Sequence, residues 1–279
     1  VQERVISAVS VRPWSPPTGP LGDLTAAAVE RAAVVASCRP ALEARAADLP
    51  APPSLRAALR GPNVRVLAEV KRASPSKGAI APGLDAAVQA TRYVAGGAAA
   101  ISVLTEPSRF GGSLEDLSAV TAAVSVPVLR KDFLVDAVQI WEARAHGAAA
   151  VLLIARALAP EHLEALLAET KRAQLEALVE VRDAEELALA LSLGAQIVGV
   201  NNRNLETLDI DPGTAPGLIP SIPADVIAIA ESGMARPDDA EAARVAGTDA
   251  LLIGSAVSAA TDPAAAVATF AGLERVTRL

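Results

Sequence analysis

Eight short apolar runs, each followed by a polar turn and then a helical pattern, constrain this chain more than any other feature. They are VRVLAEV (64–70), AAISVLT (99–105), VPVLRKD (126–132), AAVLLIA (149–155), EALVEV (176–181), QIVGVN (196–201), DVIAIAE (225–231) and DALLIG (249–254). Most are continuously apolar rather than alternating, as strands covered on both faces of a parallel sheet must be. Between them the spacing predicts helices over Asp85–Ala95, Leu114–Val124, Ala137–Ala145, Glu161–Ala173, Ala184–Leu193 and Asp238–Ala246. Glycine closes four of these segments before the next strand, at Gly97, Gly147, Gly194 and Gly247. Eight βα units in 279 residues read as an α/β fold of the (β/α)8 TIM-barrel type, with an open doubly wound sheet as the alternative. The sixth connection, Asp209–Pro223, is rich in Pro and Gly and has room for only a short helix.

The whole chain, 1–279, reads as one domain: a barrel over 64–279 preceded by an N-terminal helical extension over 1–60. The first extension helix is expected near 25–37, capped by Asp23 or Thr25. Pro40 is suited to open the second, near 40–48. Pro50, Pro52 and Pro53 then break the chain, and Ser54 can cap a short helix through Leu59.

Composition removes several classes of function. Net charge is −7 and no basic block or basic–aromatic stripe occurs, which argues against a nucleic-acid partner but not against an anionic small molecule. The lone Cys38 permits no internal disulfide and no cysteine metal cage, and only His146 and His162 remain as imidazoles. The expectation is a protein with no metal and no cofactor. The N-terminal stretch lacks a signal-peptide pattern and no apolar run approaches membrane-spanning length, so a cytoplasmic protein without a membrane partner is expected. A monomer or weak homo-oligomer completes that expectation.

The polar residues gather where a barrel keeps its chemistry, at the C-terminal ends of the strands. In the first strand Glu69 and Lys71 are two residues apart and share a face. Alone they would be an ordinary ion pair, worth roughly 0–1 kcal/mol. Later strand ends bring Ser102, Thr105 and Glu106, then Lys131 and Asp132, Arg156, Glu180, and Asn201, Asn202 and Arg203. Glu231, Ser232 and Gly233 close the seventh strand, and Gly254 and Ser255 the eighth. Singly, these are strand-end pairs and turn formers. Together they put two lysines and three carboxylates on one mouth, which solvation alone does not explain. The loops after strands seven and eight are where barrels often hold a phosphate, and Ala256–Ala260 can start the accompanying short helix. Ser74–Pro75–Ser76 adds hydroxyls to that rim, while His146 and His162 read as structural or solvent-facing and Trp141 as helix–barrel packing.

Two lysines held together out of bulk water lower each other's pKa, and a partly buried Glu180 has its own raised toward the working range. With no metal or redox motif, acid–base chemistry on a phosphorylated carbonyl compound is expected. A Schiff base on Lys71 or Lys131 is the alternative, and a trapped borohydride adduct would reveal it.

In order, AEVKRASPSKG, SVLTEPSRFGGSLEDL, VPVLRKDFLVDAVQIWEARAHGAAAVLLI, LVEV, GVNNRNLETLDID, ESGM and LIGSA resemble indole-3-glycerol-phosphate synthase over roughly residues 64–263. The resemblance implies a cofactor-free lyase of tryptophan biosynthesis acting on 1-(2-carboxyphenylamino)-1-deoxyribulose 5-phosphate. It implies Lys131 as general acid, Glu180 as base, Lys71 as carboxylate ligand and second acid, and Glu69 as the group that orients both lysines. It further implies Asn201, Arg203, Glu231 and Ser232 around the substrate's hydroxyls and amine, and Phe110 and Phe133 against its ring. Ser74, Gly233, Gly254 and Ser255 would cradle the phosphate. The chain departs from the family pattern at Leu84, Arg182 and Ala256–Ser258, so a paralogue acting on a substituted anthranilate is an alternative. A phosphoribosylanthranilate isomerase or aldolase would need a Cys/Asp pair or a Schiff-base lysine. A catalytically silent binding subunit would be expected to have lost Lys131 or Glu180, and both are present.

Overall fold

The computed structural model describes residues 13–75, 78–81 and 83–278. The chain start and Ser76 of the expected hydroxyl cluster lie outside the described residues. Eight parallel strands close on themselves: β1 (Arg65–Val70), β2 (Ala100–Leu104), β3 (Val128–Lys131), β4 (Ala150–Ile154), β5 (Glu176–Val181), β6 (Ile197–Asn201), β7 (Ile227–Glu231) and β8 (Ala250–Ile253). Each pairs with the next, and β8 returns to β1 in the register Arg65↔Ala250 through Ala68↔Ile253. All eight lie within the expected runs. Nearly every strand residue is buried, because helices cover the outer face and side chains fill the inner one.

Three helices precede the barrel: α1 (Gly19–Val35), α2 (Arg39–Ala47) and α3 (Leu55–Ala58). The barrel then adds α4 (Ala86–Ala95), α5 (Pro107–Phe110), α6 (Leu114–Ala123), α7 (Ala137–Ala145), α8 (Pro160–Arg172), α9 (Ala184–Ser192), α10 (Thr214–Leu218), α11 (Glu241–Val245), α12 (Ser255–Ser258) and α13 (Pro263–Ala271). Asp85, Ser113, Asp136 and Asp183 cap their helices through the side chain, satisfying amides the first turn leaves open. Gly97, Gly147, Gly194 and Gly247 all have positive φ, which lets the chain leave each helix for the next strand. The weak sixth connection carries only α10 and a single 3-10 turn. The stretch expected as a helix over Asp238–Ala246 divides into a 3-10 turn and α11.

The first extension helix corrects the expectation. It starts at Gly19, six residues before Thr25, with Pro20 in its first turn; Asp23 and Thr25 lie inside it and cap nothing. Proline, whose φ is preset for the first turn, defines the start here rather than a capping side chain. The other two helices start close to expectation: α2 at Arg39 with Pro40 in its first turn, and α3 after its cap Ser54, whose hydroxyl accepts the Ala57 amide at 3.0 Å. The extension wraps the barrel from top to bottom. α1 lies over the mouth, α2 packs on α7, and α3 sits beneath β5, where Glu176 accepts from the Ser54 hydroxyl at 2.9 Å and the Arg56 amide at 2.9 Å.

The bottom of the barrel is tied by Asp249. Its carboxylate accepts the Ala228 amide at 2.8 Å and pairs with Arg275 at 2.9 Å and Arg278 at 2.8 Å. Arg278 in turn donates to the carbonyls of Gly247 and Val226, each at 2.6 Å. The C-terminal tail thus staples the starts of β7 and β8 together. Removing one member of a buried, hydrogen-bonded pair strands the other, so Asp249→Ala should cost about 3–5 kcal/mol of stability. Denaturant unfolding of folded, purified variant checks this; a loss below about 1 kcal/mol would show the tail to be dispensable.

Candidate active site

Alternation within each strand decides what reaches the mouth. Leu67, Leu129, Leu178 and Ile229 fill the barrel one layer down; two residues on, Glu69, Lys131, Glu180 and Glu231 project above them. The main cavity, about 310 Å³, is lined at its polar end by Glu69, Lys71, Lys131, Glu180, Asn201 and Ser232. Glu69 occupies the centre of charge. Its Oε1 meets Lys71 Nζ at 2.7 Å and its Oε2 meets Lys131 Nζ at 3.3 Å. Lys131 also faces Glu231 at 3.8 Å. Glu180 accepts from the Asn201 amide at 2.9 Å, and Asn201 in turn accepts the Arg203 backbone amide at 2.9 Å.

Two glycines make this crowding possible. A Cβ at Gly254 would fall on the Glu69 carboxylate and the Lys71 ammonium; one at Gly199 would fall on the Glu231 carboxylate. Gly199 stands beside Glu180 in the sheet register, so its missing side chain is the space that lets Glu231 approach Glu180.

The electrostatics overturn one expectation. Burial pulls the Lys131 ammonium down, but Glu69, Glu231 and Glu180 outweigh it and hold Lys131 well above the ordinary lysine value. The expected lowering fails at Lys131 because Glu69 lies between the two lysines and three carboxylates face Lys131. Burial pushes the Glu69 carboxyl up, but the two ammonium groups dominate and hold it at about 2. Glu231 goes the other way. Burial first, and the neighbouring Glu180 charge second, raise its carboxyl well above the usual range despite Lys131. Its oxygens accept no hydrogen bond from a donor of good geometry among the described residues.

The apolar end of the cavity is built by Phe110 and Phe133, whose ring centres lie 6.3 Å apart at 38°. Each is placed by a buried carboxylate. Glu106 caps α5, accepting the Phe110 amide at 3.2 Å, and Asp132 accepts the Phe133 amide at 2.8 Å. Arg31 of α1 pairs with both, at 3.6 Å to Glu106 and 2.8 Å to Asp132. The two carboxylates, expected among the rim residues, therefore serve the wall, and they latch the extension to it. Pro20, Leu21 and Leu24 of α1 complete the lining, as do Leu208, Ile210 and Met234. None of these six was expected as a site residue. Their only signal is apolar spacing, which a core residue shares.

Every site residue that the resemblance implies lines this cavity except Glu231, which is sealed just beneath it with 1% of its surface exposed. Ser102, Thr105, Glu106, Arg156 and Asn202, expected at the same mouth, do not line the cavity. Ser74, Gly233, Gly254 and Ser255 form its rim beside α12, and Gly233 and Ser232 both have positive φ. Asn202 turns away from the cavity: it donates to the Ser232 carbonyl at 3.0 Å and accepts the Ala215 amide at 2.8 Å, holding the β7 turn. At the departure Ser258, the hydroxyl donates to the Glu69 carbonyl at 3.0 Å and meets buried Tyr93 at 3.1 Å. His146 contacts Ser118 outside the barrel at 2.7 Å, and Trp141 donates to Glu169 between α7 and α8.

Solved structures share this architecture at low identity. 3-Hexulose-6-phosphate synthase from Salmonella typhimurium superposes with a TM-score of 0.61 at 15% identity, over 75% of this chain and 97% of that one. Thiamine phosphate pyrophosphorylase from Pyrococcus furiosus gives 0.56 at 17%, over 78% and 96%. These establish the barrel fold. Sequence relatives are far closer. The indole-3-glycerol phosphate synthase 1 of Streptomyces coelicolor is 53% identical over 211 residues, 76% of this chain and 78% of its own. The indole-3-glycerol phosphate synthase of Kineococcus radiotolerans is 56% identical over 205 residues, 74% and 75%. The family model for indole-3-glycerol phosphate synthase matches residues 25–270, and with relatives at this identity the chain belongs to that family of decarboxylating lyases.

Proposed function

We propose that this barrel mouth closes the indole ring of 1-(2-carboxyphenylamino)-1-deoxyribulose 5-phosphate, with Lys131 as general acid and Glu180 as general base. The observation that carries the assignment of roles is the Lys131 ammonium held among Glu69, Glu231 and Glu180 at the floor of a cavity whose other end is aromatic. The phenylalanine wall suits the anthranilate ring, and the Gly/Ser rim by α12 suits the phosphate. Lys71, which faces the same cavity from β1, takes the substrate carboxylate.

The ring carbon bearing the carboxylate attacks the ribulose carbonyl, and Lys131 gives its proton to the carbonyl oxygen. Carbon dioxide then leaves, returning its electron pair to the ring. Glu180 takes a proton from the carbon beside the nitrogen as the new hydroxyl departs with a second proton as water. With its pKa raised, Lys131 is an ammonium throughout the working range and has a proton to give as the carbonyl oxygen turns into an alkoxide. Glu69, ionised throughout because its pKa is about 2, keeps both ammonium groups aimed into the cavity. Asn201 fixes Glu180, while Arg203 and Ser232 border the sugar.

Supplying the carboxyphenylamino-deoxyribulose phosphate should yield indole fluorescence, and folded protein giving none would contradict the reading. Lys131→Ala should lower turnover by about 10² or more while leaving inorganic-phosphate binding nearly intact. Equal damage to both would make Lys131 structural. Glu231→Gln should raise the melting temperature at pH 8 while lowering turnover, because it removes a carboxyl that the fold disfavours ionising. A lowered melting temperature would show that the ionised carboxylate stabilises the site.

A further inference from the structure

A second cavity of about 300 Å³ adjoins the first, and Glu180 lines both. The two differ in character. The first is walled largely by apolar groups, whereas the second is bordered by Arg156, Arg182, Asp183, Glu186, Asn204 and Glu206. Arg182 and Asp183 are half-exposed, so this cavity reaches the surface beside the N-terminus of α9. The α1 helix covers the first cavity from above, tied down where Glu206 accepts from the Thr18 amide and hydroxyl and pairs with Arg156. Substrate in the first cavity would lie between Glu180 and α1, leaving the second as the polar side of Glu180.

The chemistry gives such a passage a task. The substrate enters as a carboxylate, and its carboxyl group leaves as neutral carbon dioxide. Two protons go onto the departing oxygen and one returns from the ring carbon, so each turnover takes up one proton from water. This count rests on the function proposed above. We propose that the second cavity is the proton entry of the enzyme, with Glu186 the carboxylic acid that passes the solvent proton through its water to Glu180. In that step one Glu186 O–H bond breaks and one Glu180 O–H bond forms. Glu180 gives this proton to the departing hydroxyl, which leaves as water, then takes the ring-carbon proton and returns it to Lys131, while solvent reprotonates Glu186.

The surroundings of Glu186 fit a relay group. Its Oε2 accepts the Arg182 backbone amide at 2.7 Å, which fixes the carboxyl at the cavity wall. Asp183 caps the same helix and accepts the Glu186 amide at 2.9 Å. Glu180 faces it from β5 and Arg156 from the end of β4; Arg203 and Glu206 border the cavity from the loop after β6. Burial, followed by the Asp183 charge and then the Glu180 charge, raises the Glu186 carboxyl to about 7, while the Arg182 amide and Arg156 oppose the shift. A group near the working pH both releases and regains a proton readily. A polar cavity of this size holds several waters to carry it.

The test is single-turnover kinetics with a pH indicator, following proton uptake and indole formation together. Glu186→Gln keeps the oxygen that accepts the Arg182 amide. It should slow proton uptake and indole formation together by about 10-fold or more, with substrate affinity unchanged. Imidazole added to the buffer should restore most of that loss. Asp183→Asn, which preserves the cap, should move the alkaline limb of the wild-type pH profile to lower pH, since it removes a charge that raises Glu186. Wild-type rates in Glu186→Gln, or a loss that imidazole does not repair, would overturn the proposal and leave Glu186 a capping residue. A wild-type enzyme forming no indole would instead remove the reading on which the proton count rests.

Discussion

One carboxylate holds the mouth of this barrel together. Glu69 pairs with two ammonium groups, at 2.7 Å and 3.3 Å, in a place where neither lysine could sit beside the other unneutralised. Buried charges need partners, and the same Glu69 charge that keeps Lys71 and Lys131 close also keeps Lys131 protonated. The site is therefore a network rather than a row of independent acids and bases. Glu231, sealed beneath it, faces Lys131 at 3.8 Å and is itself pushed toward the neutral form by burial and by Glu180.

That network dictates features well away from it. Gly254 and Gly199 leave the room into which Glu69 and Glu231 extend, so two absent side chains are as necessary as the charged ones. The N-terminal extension is part of the site for a related reason. Arg31 joins the two carboxylates that set the positions of Phe110 and Phe133, while Leu21 and Leu24 of the same helix face the cavity. At the opposite end the Asp249 cluster closes the barrel and leaves the upper face free for chemistry.

Much of this was legible in the sequence. Continuous apolar runs and glycine helix exits gave all eight strands, because burial on both faces and left-handed exits each demand particular residue types. Strand alternation likewise put Glu69 and Lys71 on one face, and their places at strand ends brought Lys131 and Glu180 to the same mouth. What the sequence hid depends on distances between strands. The spacing of Glu69 and Lys71 is local, but Lys131 reaching Glu69 across the barrel is not, so the sequence alone points to the wrong sign for the Lys131 shift. The start of α1 escapes a reading based on capping side chains because Pro20, rather than Asp23 or Thr25, sets it. Arg31 gave no signal at all: an exposed-looking arginine on a helix becomes a latch only when Glu106 and Asp132 meet beneath it.

The central claim is that carboxylates hold the Lys131 proton in the free enzyme more tightly than an ordinary lysine does. Its most direct test is an NMR titration of the free enzyme with ¹⁵N-labelled lysine, with Lys131 assigned by its loss in Lys131→Ala. The account predicts that Lys131 remains an ammonium past the pH at which exposed lysines have titrated, and that Glu69→Gln brings it down. A Lys131 midpoint below that of the exposed lysines would contradict it, and would return the site to a pair of lysines lowering one another.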